Sequence, residues 1–403
     1  MSELYSLPKG WEWKKLEDLF TITSSKRVLK EDWLEKGIPF YRAREIVKLS
    51  QNGFVDNELF ISEEMYNSFS KKYGLPKVND ILVTGVGTLG ITYIVKENEK
   101  FYFKDGNIIW LKNDSNTNSK YIEYGFQTEF LKNQINSNSG STVATYTITN
   151  ANNTIIPIPP LEEQKRIVAK LDILFAKIDK AIALHQKNCE EADIFMASVL
   201  NDVFVELEEK YEIKTVDEVS LNVRYGYTDS AKDKGNAVFI RITDINENGK
   251  FKDNFVYVDI EDKELERFKL YKGDILVARS GATAGKVALF DLDFVSVFAS
   301  YLIRIQPNSE MDSSFFFYFC HSPKYWEQLN IIKVGGAQPN VNATNLKEIK
   351  IATPPLQTQQ KVVSYLDEVS QKMEKIKQIQ KEKMQSLKAL KASILDQAFK
   401  GEL

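Results

Sequence analysis

Ile158-Pro159-Pro160-Leu161-Glu162-Glu163-Gln164, near the middle of the chain, returns near its end as Thr353-Pro354-Pro355-Leu356-Gln357-Thr358-Gln359. The displacement from Pro159 to Pro354 is 195 residues, and it also carries Val168 to Val363, Leu171 to Leu366, Asp172 to Asp367, Lys177 to Lys372, Ser198 to Ser393 and Phe204 to Phe399. A fixed offset over so long a stretch marks an internal duplication. Upstream the correspondence continues with small insertions. Asp80-Ile81-Leu82-Val83 answers Asp274-Ile275-Leu276-Val277, Phe40-Tyr41-Arg42 answers Phe239-Ile240-Arg241, and Leu16-Glu17-Asp18-Leu19 answers Val216-Asp217-Glu218-Val219. Each half is a variable globular region followed by a similar segment.

That segment is helical by pattern. In the first copy Ile167, Leu171, Leu174, Ile178, Ala181, His185, Asn188, Ala192, Phe195 and Val199 alternate in steps of four and three, the apolar seam of a coiled coil. The second copy gives Val362, Leu366, Val369, Met373, Ile376, Gln380, Lys383, Leu387, Leu390 and Ile394. Both seams are polar in the middle. The proline pairs before Leu161 and Leu356 suit helix starts, where a missing N–H costs nothing. Short runs bounded by glycine, such as Asp80 to Val83, Ile91 to Val95 and Lys286 to Phe290, read as strands. The expected fold is therefore mixed α/β (α+β), with globular regions at 1–157 and 209–352 and helical spacers at 158–208 and 353–403. Chain order adds a geometric expectation. If the second helix packs on the first it runs back antiparallel, its end near Leu403 returns to the first globule, and the two globules sit about 65 Å apart on helices of ~45 residues with pseudo-twofold symmetry.

The 403 residues exceed the size at which one core stops growing, and 43% hydrophobic with 12% aromatic residues supports real cores. No secretory or transit pattern opens the chain, and the apolar run Phe315 to Cys320 is far short of the ~20 residues of a membrane helix, so a cytoplasmic protein with no membrane partner is expected. Cys189 and Cys320 make neither a disulfide framework nor a zinc pattern, and His185 and His321 are too scattered for a metal site, so all four read as packing residues. A net charge of -3 opposes indiscriminate polyanion binding, leaving local basic clusters to decide.

Gly85-Val86-Gly87-Thr88-Leu89-Gly90 has the letters of a dinucleotide fingerprint, but a strand follows it where the phosphate site requires a helix N-terminus. Gly281-Ala282-Thr283-Ala284-Gly285-Lys286 is one residue short of a phosphate-binding loop and continues with Val287. The two are repeat partners: strand-to-strand turns on which Thr84, Thr88, Ser280, Thr283 and Lys286 could meet phosphates, or plain hairpin turns. Arg42, Arg44, Arg241 and Arg279 lie beside apolar strands. Their forks suit guanine O6/N7 or phosphate, with ion pairs to a neighbour such as Glu45 or Asp244 as the structural alternative. The loops holding Lys26 and Arg27, and Arg224 and Tyr227, mix basic, hydroxyl and aromatic groups. Phe315 to Phe319 reads as a buried helix. No Asn/Asp-Pro-Pro-aromatic tetrapeptide of an adenine methyltransferase and no complete Walker motif is present, so catalysis has to come from partners.

The duplicated Pro-Pro-Leu-x-x-Gln helix start, the stretch Gly273 to Thr283, Gly335-Gly336-Ala337-Gln338-Pro339-Asn340, the opening Leu7-Pro8-Lys9-Gly10-Trp11 and the ending Ala398 to Leu403 together resemble the specificity subunits of type I restriction-modification systems over the whole chain. The resemblance implies two target-recognition domains, each reading half of an asymmetric split site in double-stranded DNA. It further implies helices that dock two modification subunits and, with them, restriction subunits. S-adenosylmethionine, ATP and magnesium would belong to those partners, and this chain would carry no cofactor, metal or catalytic group. Gln338 and Asn340 join the DNA-contact candidates on this ground. Leu171, Leu174, Ile178, Phe195, Leu366, Val369, Met373, Leu387 and Leu390 are the expected seam and partner contacts. The first half departs from the pattern, with Gly140 to Ala144 in place of Gly335 to Pro339 and Val83-Thr84-Gly85 in place of Val277-Ala278-Arg279. Two other classes stay open: a coiled-coil adaptor holding two ligand-binding domains, and a nucleotide-dependent enzyme built on the glycine loops.

Overall fold

The computed structural model describes residues 4–137, 144–246, 249–332 and 340–403. They form two compact units. The first holds the chain up to Leu184 together with Lys383–Leu403, and the second is His185–Glu382.

Strands of the first unit are β1 (Glu12–Lys15), β2 (Thr21–Thr23), β3 (Ile38–Tyr41), β4 (Phe60–Ile61), β5 (Ile81–Thr84), β6 (Thr92–Ile94), β7 (Tyr102–Phe103), β8 (Ile108–Lys112) and β9 (Ile155–Ile158). Those of the second are β10 (Ile213–Thr215), β11 (Ser220–Tyr225), β12 (Ala237–Ile240), β13 (Val256–Val258), β14 (Ile275–Ala278), β15 (Val287–Leu289), β16 (Ser296–Phe298), β17 (Leu302–Pro307) and β18 (Lys350–Ala352). The sheets repeat strand for strand. Four-stranded β2-β8-β5-β6 matches β11-β17-β14-β15, three-stranded β4-β3-β7 matches β13-β12-β16, and the pair β1-β9 matches β10-β18. Even the exceptions agree, since β3 with β7 and β12 with β16 are the parallel pairs.

In the repeated Asp-Ile-Leu-Val runs the Ile-Leu-Val part is uniformly apolar because it lies in strands covered on both faces. Successive side chains point to opposite faces. Ile275 and Val277 therefore enter a core shared with Leu200, Phe204 and Phe315, while Leu276 and Ala278 enter a second core with Phe239 and Phe298. Ile81 and Val83 likewise separate from Leu82 into two cores of the first unit.

The long helices run Leu161–Lys210 and Leu356–Lys400. Their glutamines explain the repeated motif that starts them. The buried Gln164 side chain donates to the Pro159 carbonyl at 2.9 Å and accepts the Asn118 N–H at 3.0 Å. Gln359, equally buried, donates to the Pro354 carbonyl at 2.8 Å and accepts the Asp312 N–H at 2.8 Å. Asn118 and Asp312 are themselves N-caps, of helices Ser119–Gln127 and Ser313–Cys320, so each glutamine ties a long helix to the start of a short one. The second of these short helices contains Phe315 to Phe319 and is buried as expected. A further repeated tie joins Tyr124 to Asp172 and Tyr318 to Asp367.

Within each unit the two long helices run antiparallel. In the first, Asp179 pairs with Lys391 at 2.8 Å while Arg166 reaches the Leu403 carbonyl. In the second, His185 bonds Gln380 while Asp193 pairs with Lys377 at 2.9 Å. Leu171, Leu174 and Ile178 share the first unit's core with Leu387, Ile394 and Leu395, and Phe399 stacks on Tyr121 at 4.6 Å, so the chain end does return to the first globule. Leu366 is fully buried beside Phe204, and Val369 and Met373 are half-buried. Phe195 and Leu390 correct the sequence reading: they are 51% and 48% exposed. Cys189, Ala192, Met196 and Leu200 carry the seam instead, in steps of three, four and four. A straight helix drifts about 20° per heptad against a 3.5-residue repeat, so a strict alternation of steps leaves the buried face after several turns. Phe195 and Leu390 are equivalent under the 195-residue offset, and both helices drift at the same place.

Candidate nucleic-acid interface

The β5-β6 and β14-β15 turns share one backbone frame. In the first unit Gly85 donates to the Asn107 carbonyl and accepts from the Tyr146 N–H, both at 2.9 Å. In the second, Arg279 donates to the Tyr301 carbonyl at 2.9 Å and accepts from the Val341 N–H at 2.8 Å. Val86 bridges Thr145 where Ser280 bridges Asn340. The glycine letters follow from geometry. Gly90 and Gly285 are left-handed, at φ 74° and 92°, and a Cβ would stand 2.8 Å from the Ile135 side chain in one and 2.1 Å from that of Leu329 in the other. Thr84 is fully buried, donating to the Thr88 carbonyl and accepting the Ile91 N–H, so it staples the turn, whereas Thr88 is exposed. Ser280, Thr283 and Lys286 are half-buried on the second turn. Gln338 lies outside the described residues. Asn340 is half-buried, and its Oδ1 has no hydrogen-bond partner.

Side chains at matching places differ in chemistry. After β2, Ser24 and Ser25 donate to the carbonyls of Ile108 and Phe103 and the Lys26 N–H donates to the Tyr102 hydroxyl. This sets the Lys26 ammonium 5.7 Å from the centre of the Tyr73 ring, which Lys72 approaches at 5.3 Å. Burial pushes the Tyr102 hydroxyl up to about 12, so it stays a protonated anchor. Arg27 is exposed on the same loop. At the end of β11 the path is Tyr225-Gly226-Tyr227. A Cβ on Gly226 would sit 2.3 Å from the carbonyls of Phe298 and Ala299, and only glycine lets the chain pass. Tyr227 packs on Phe268 and lines a cavity of about 340 Å³ with Phe239, Arg241, Thr243, Ala299 and Tyr301. On the other side of this strand end, Arg224 donates to the Arg267 carbonyl at 3.1 Å and lines a groove with Tyr225, Arg267 and Lys347.

Arg42 and Arg241 occupy identical settings. Each caps the start of a helical segment, Ala43–Asn52 in the first unit and the single turn Ile242–Asp244 in the second, and grips the acid three residues on: Arg42 reaches Glu45 through Nε at 3.1 Å and Nη2 at 2.9 Å, and Arg241 reaches Asp244 at the same two distances. Arg44 adds contacts to Glu45 and Glu58. Burial works against the Glu45 carboxylate, yet hydrogen bonds from Arg42 and Arg44 hold its pKa below the ordinary range. These three arginines are thus joined to carboxylates, while the Arg279 guanidinium lies 4.8 Å over the Tyr225 ring. The Arg–Tyr stack escapes sequence reading because its partners are 54 positions apart.

The sequence comparisons agree with this architecture. The model of the type I restriction modification DNA specificity domain matches residues 8–188 and again 208–383. The chain belongs to that family. The type I restriction enzyme StySPI specificity subunit of Salmonella potsdam is 23% identical over 98% of this chain and 90% of its own length. A putative type I specificity subunit of Haemophilus influenzae, S.HindORF215P, is 32% identical, but the match spans only 39% of this chain and 38% of that one. Among solved structures, a chain from a study of complex assembly and conformational transition of the type I R-M system superimposes with TM-score 0.79 at 21% identity, over 99% of this chain and 100% of the other. The HsdS subunit of Thermoanaerobacter tengcongensis gives 0.55 at 20% identity, over 99% of both chains. These likenesses carry the fold. Among the described residues no helix is long and apolar enough to cross a membrane.

Proposed function

We propose that this chain is the DNA-reading subunit of a type I restriction-modification complex, with each unit recognising one half of a split, unsymmetrical site. One observation carries the reading: two units with the same strand topology and turn hydrogen bonds present different groups at matching places, Gly85 against Arg279 and Lys26 against Tyr227. A duplicated frame with diverged tips is what reading two unlike half-sites requires, since phosphate contacts position a protein and base-edge contacts specify the sequence. The basic and hydroxyl groups around Lys26, Arg27, Arg224, Thr283 and Lys286 supply the phosphate contacts. Apolar side chains on the outer faces of the long helices, Ile173 and Leu390 in the first unit and Ile194, Phe195 and Ile379 in the second, supply surface for two modification subunits. Those partners bring S-adenosylmethionine, restriction subunits bring ATP and magnesium chemistry, and this chain contributes sequence choice alone.

Methylation mapping in a host carrying this chain with its modification subunits tests the reading. A two-part motif with a fixed gap is expected, together with salt-dependent binding of the complex to duplexes bearing it. Methylation that ignores which specificity chain is present, or turnover by the purified chain alone, would overturn it.

A further inference from the structure

The chain's nine arginines divide sharply. Arg42, Arg44, Arg166, Arg241, Arg267 and Arg304 each face a carboxylate, and Arg224 donates to a backbone carbonyl. Arg27 is exposed on its loop. Arg279 is half-buried, yet it forms no ion pair among the described residues and its Nε is buried without a hydrogen-bond partner. Arg304 also has a buried Nε without a partner, but its guanidinium faces Asp274; a guanidinium with a buried, unpartnered nitrogen and no carboxylate is costly in a free protein, and the cost makes sense when a ligand with acceptors completes the site.

Its surroundings hold it still rather than neutralise it. The backbone is locked on both sides by Tyr301 and Val341. The guanidinium rests on the Tyr225 ring, and that ring is fixed in turn because its hydroxyl accepts the Ala343 N–H at 2.9 Å. With Nε buried, the two terminal nitrogens are the donors the guanidinium has left for a ligand, and the Tyr225 ring beside it restrains its position. Such a fork pairs bidentately with a planar acceptor pair or with a phosphate, and the hydroxyls and Lys286 of the neighbouring turn are already placed for the phosphate, which leaves the arginine for the flat pair. In duplex DNA the flat acceptor pair is guanine O6 and N7 in the major groove. The same backbone position in the first unit is Gly85, where a Cβ would stand 2.6 Å from the Tyr146 carbonyl and no side chain fits.

We propose that Arg279, held over the Tyr225 ring, reads one guanine in the half-site of the second unit, and that the first unit has no reader at the matching position. The proposal rests on the DNA-recognition reading above.

The experiment uses the chain assembled with its modification subunits on its mapped motif. Each guanine of the motif is replaced in turn by 7-deazaguanine, which pairs normally but lacks N7. Unaltered protein is expected to lose about tenfold in affinity at one guanine of the second unit's half-site. Arg279→Ala is expected to abolish that sensitivity and to relax methylation at that one position, leaving the other half-site as it was, and Arg279→Lys, which keeps a donor but not the fork, to reduce both effects. Tyr225→Leu, which keeps the arginine but removes its platform, is expected to weaken discrimination at the same base. A motif without guanine in the second unit's half-site would overturn the proposal. So would an unaltered preference in Arg279→Ala, or an even loss across all sequences with a shallower salt dependence, the signature of a phosphate contact. Each of these leaves the broader reading standing, which fails separately if the unaltered complex shows no sequence preference at all.

Discussion

The two units solve one packing problem differently at the centre of their four-stranded sheets. In the first, Leu82 on β5 faces Trp110 on β8, and the buried Asp80 beside them accepts the Trp110 indole N–H at 2.8 Å and the N–H groups of Lys77 and Asn113. In the second, Leu276 on β14 faces Arg304 on β17, with Asp274 3.6 Å from its guanidinium. Aspartate and arginine are 2% and 4% exposed, so a carboxylate bonded to an uncharged indole in one unit has become half of a buried ion pair in the other. Burial raises the Asp274 pKa and lowers that of Arg304, so each charge is costly by itself and tolerable only beside its partner. Arg304 also donates to the Lys269 carbonyl at 2.6 Å and to Asn222 at 3.1 Å, which ties the four-stranded sheet to the segment after helix Asp262–Phe268. A shared backbone thus constrains topology while leaving the chemistry of a buried position free to diverge.

The largest effect should come from breaking the ion pair. Arg304→Met leaves a carboxylate uncompensated in the core and is expected to cost about 3 to 5 kcal/mol, whereas Arg304→Met with Asp274→Asn should recover most of that loss. Trp110→Phe in the first unit removes one donor of three and is expected to cost only about 1 to 2 kcal/mol. Denaturant unfolding of the full chain, with hydrogen exchange to locate the loss, checks both. Equal costs would mean that the two positions are energetically alike.

A smaller effect tests the turns. Alanine at Gly85 drives a Cβ into the Tyr146 carbonyl and is expected to destabilise the first unit by about 1 to 3 kcal/mol. Alanine at Arg279, the matching position, removes a side chain that serves no other part of the fold and should cost less than about 1 kcal/mol, the worth of its contact with Tyr225. A stability loss at Arg279 as large as at Gly85 would place Arg279 among the structural residues.

The smallest effect is a difference in acid sensitivity. Both histidines lie in the second unit, and His321 is half-buried against the Phe317 ring, with Nδ1 2.9 Å from the Phe317 carbonyl. Burial lowers its pKa, so the folded unit holds the ring neutral while the unfolded chain takes a proton near pH 6.5. As pH falls below about 6.5 the unfolded state gains protons first, and stability is lost until the folded pKa is reached. His321→Gln is expected to flatten the loss of stability between pH 7 and 5.5 in the second unit and to leave the first unchanged, as read by hydrogen exchange at the two pH values. An unchanged slope would show that carboxylates alone govern it.

The duplication, and every feature that periodicity dictates, is legible in the order of residues. Two copies of one motif at a fixed offset require two similar units, apolar runs define strands covered on both faces, and the tight left-handed positions of Gly90 and Gly285 demand glycine. Each of these is a local or repeating property, so it survives without knowledge of distant neighbours. Folding in three dimensions decided which charged groups are free. Arg42, Arg241 and Arg279 look alike beside their strands, yet two grip an acid three residues on and the third lies on a ring from another strand. It also decided that Phe195 and Leu390 leave the seam, because the gap between 3.5 and 3.6 residues per turn accumulates until packing selects a different face. Pairing and drift depend on where remote segments meet in space, and one-dimensional spacing does not encode that meeting.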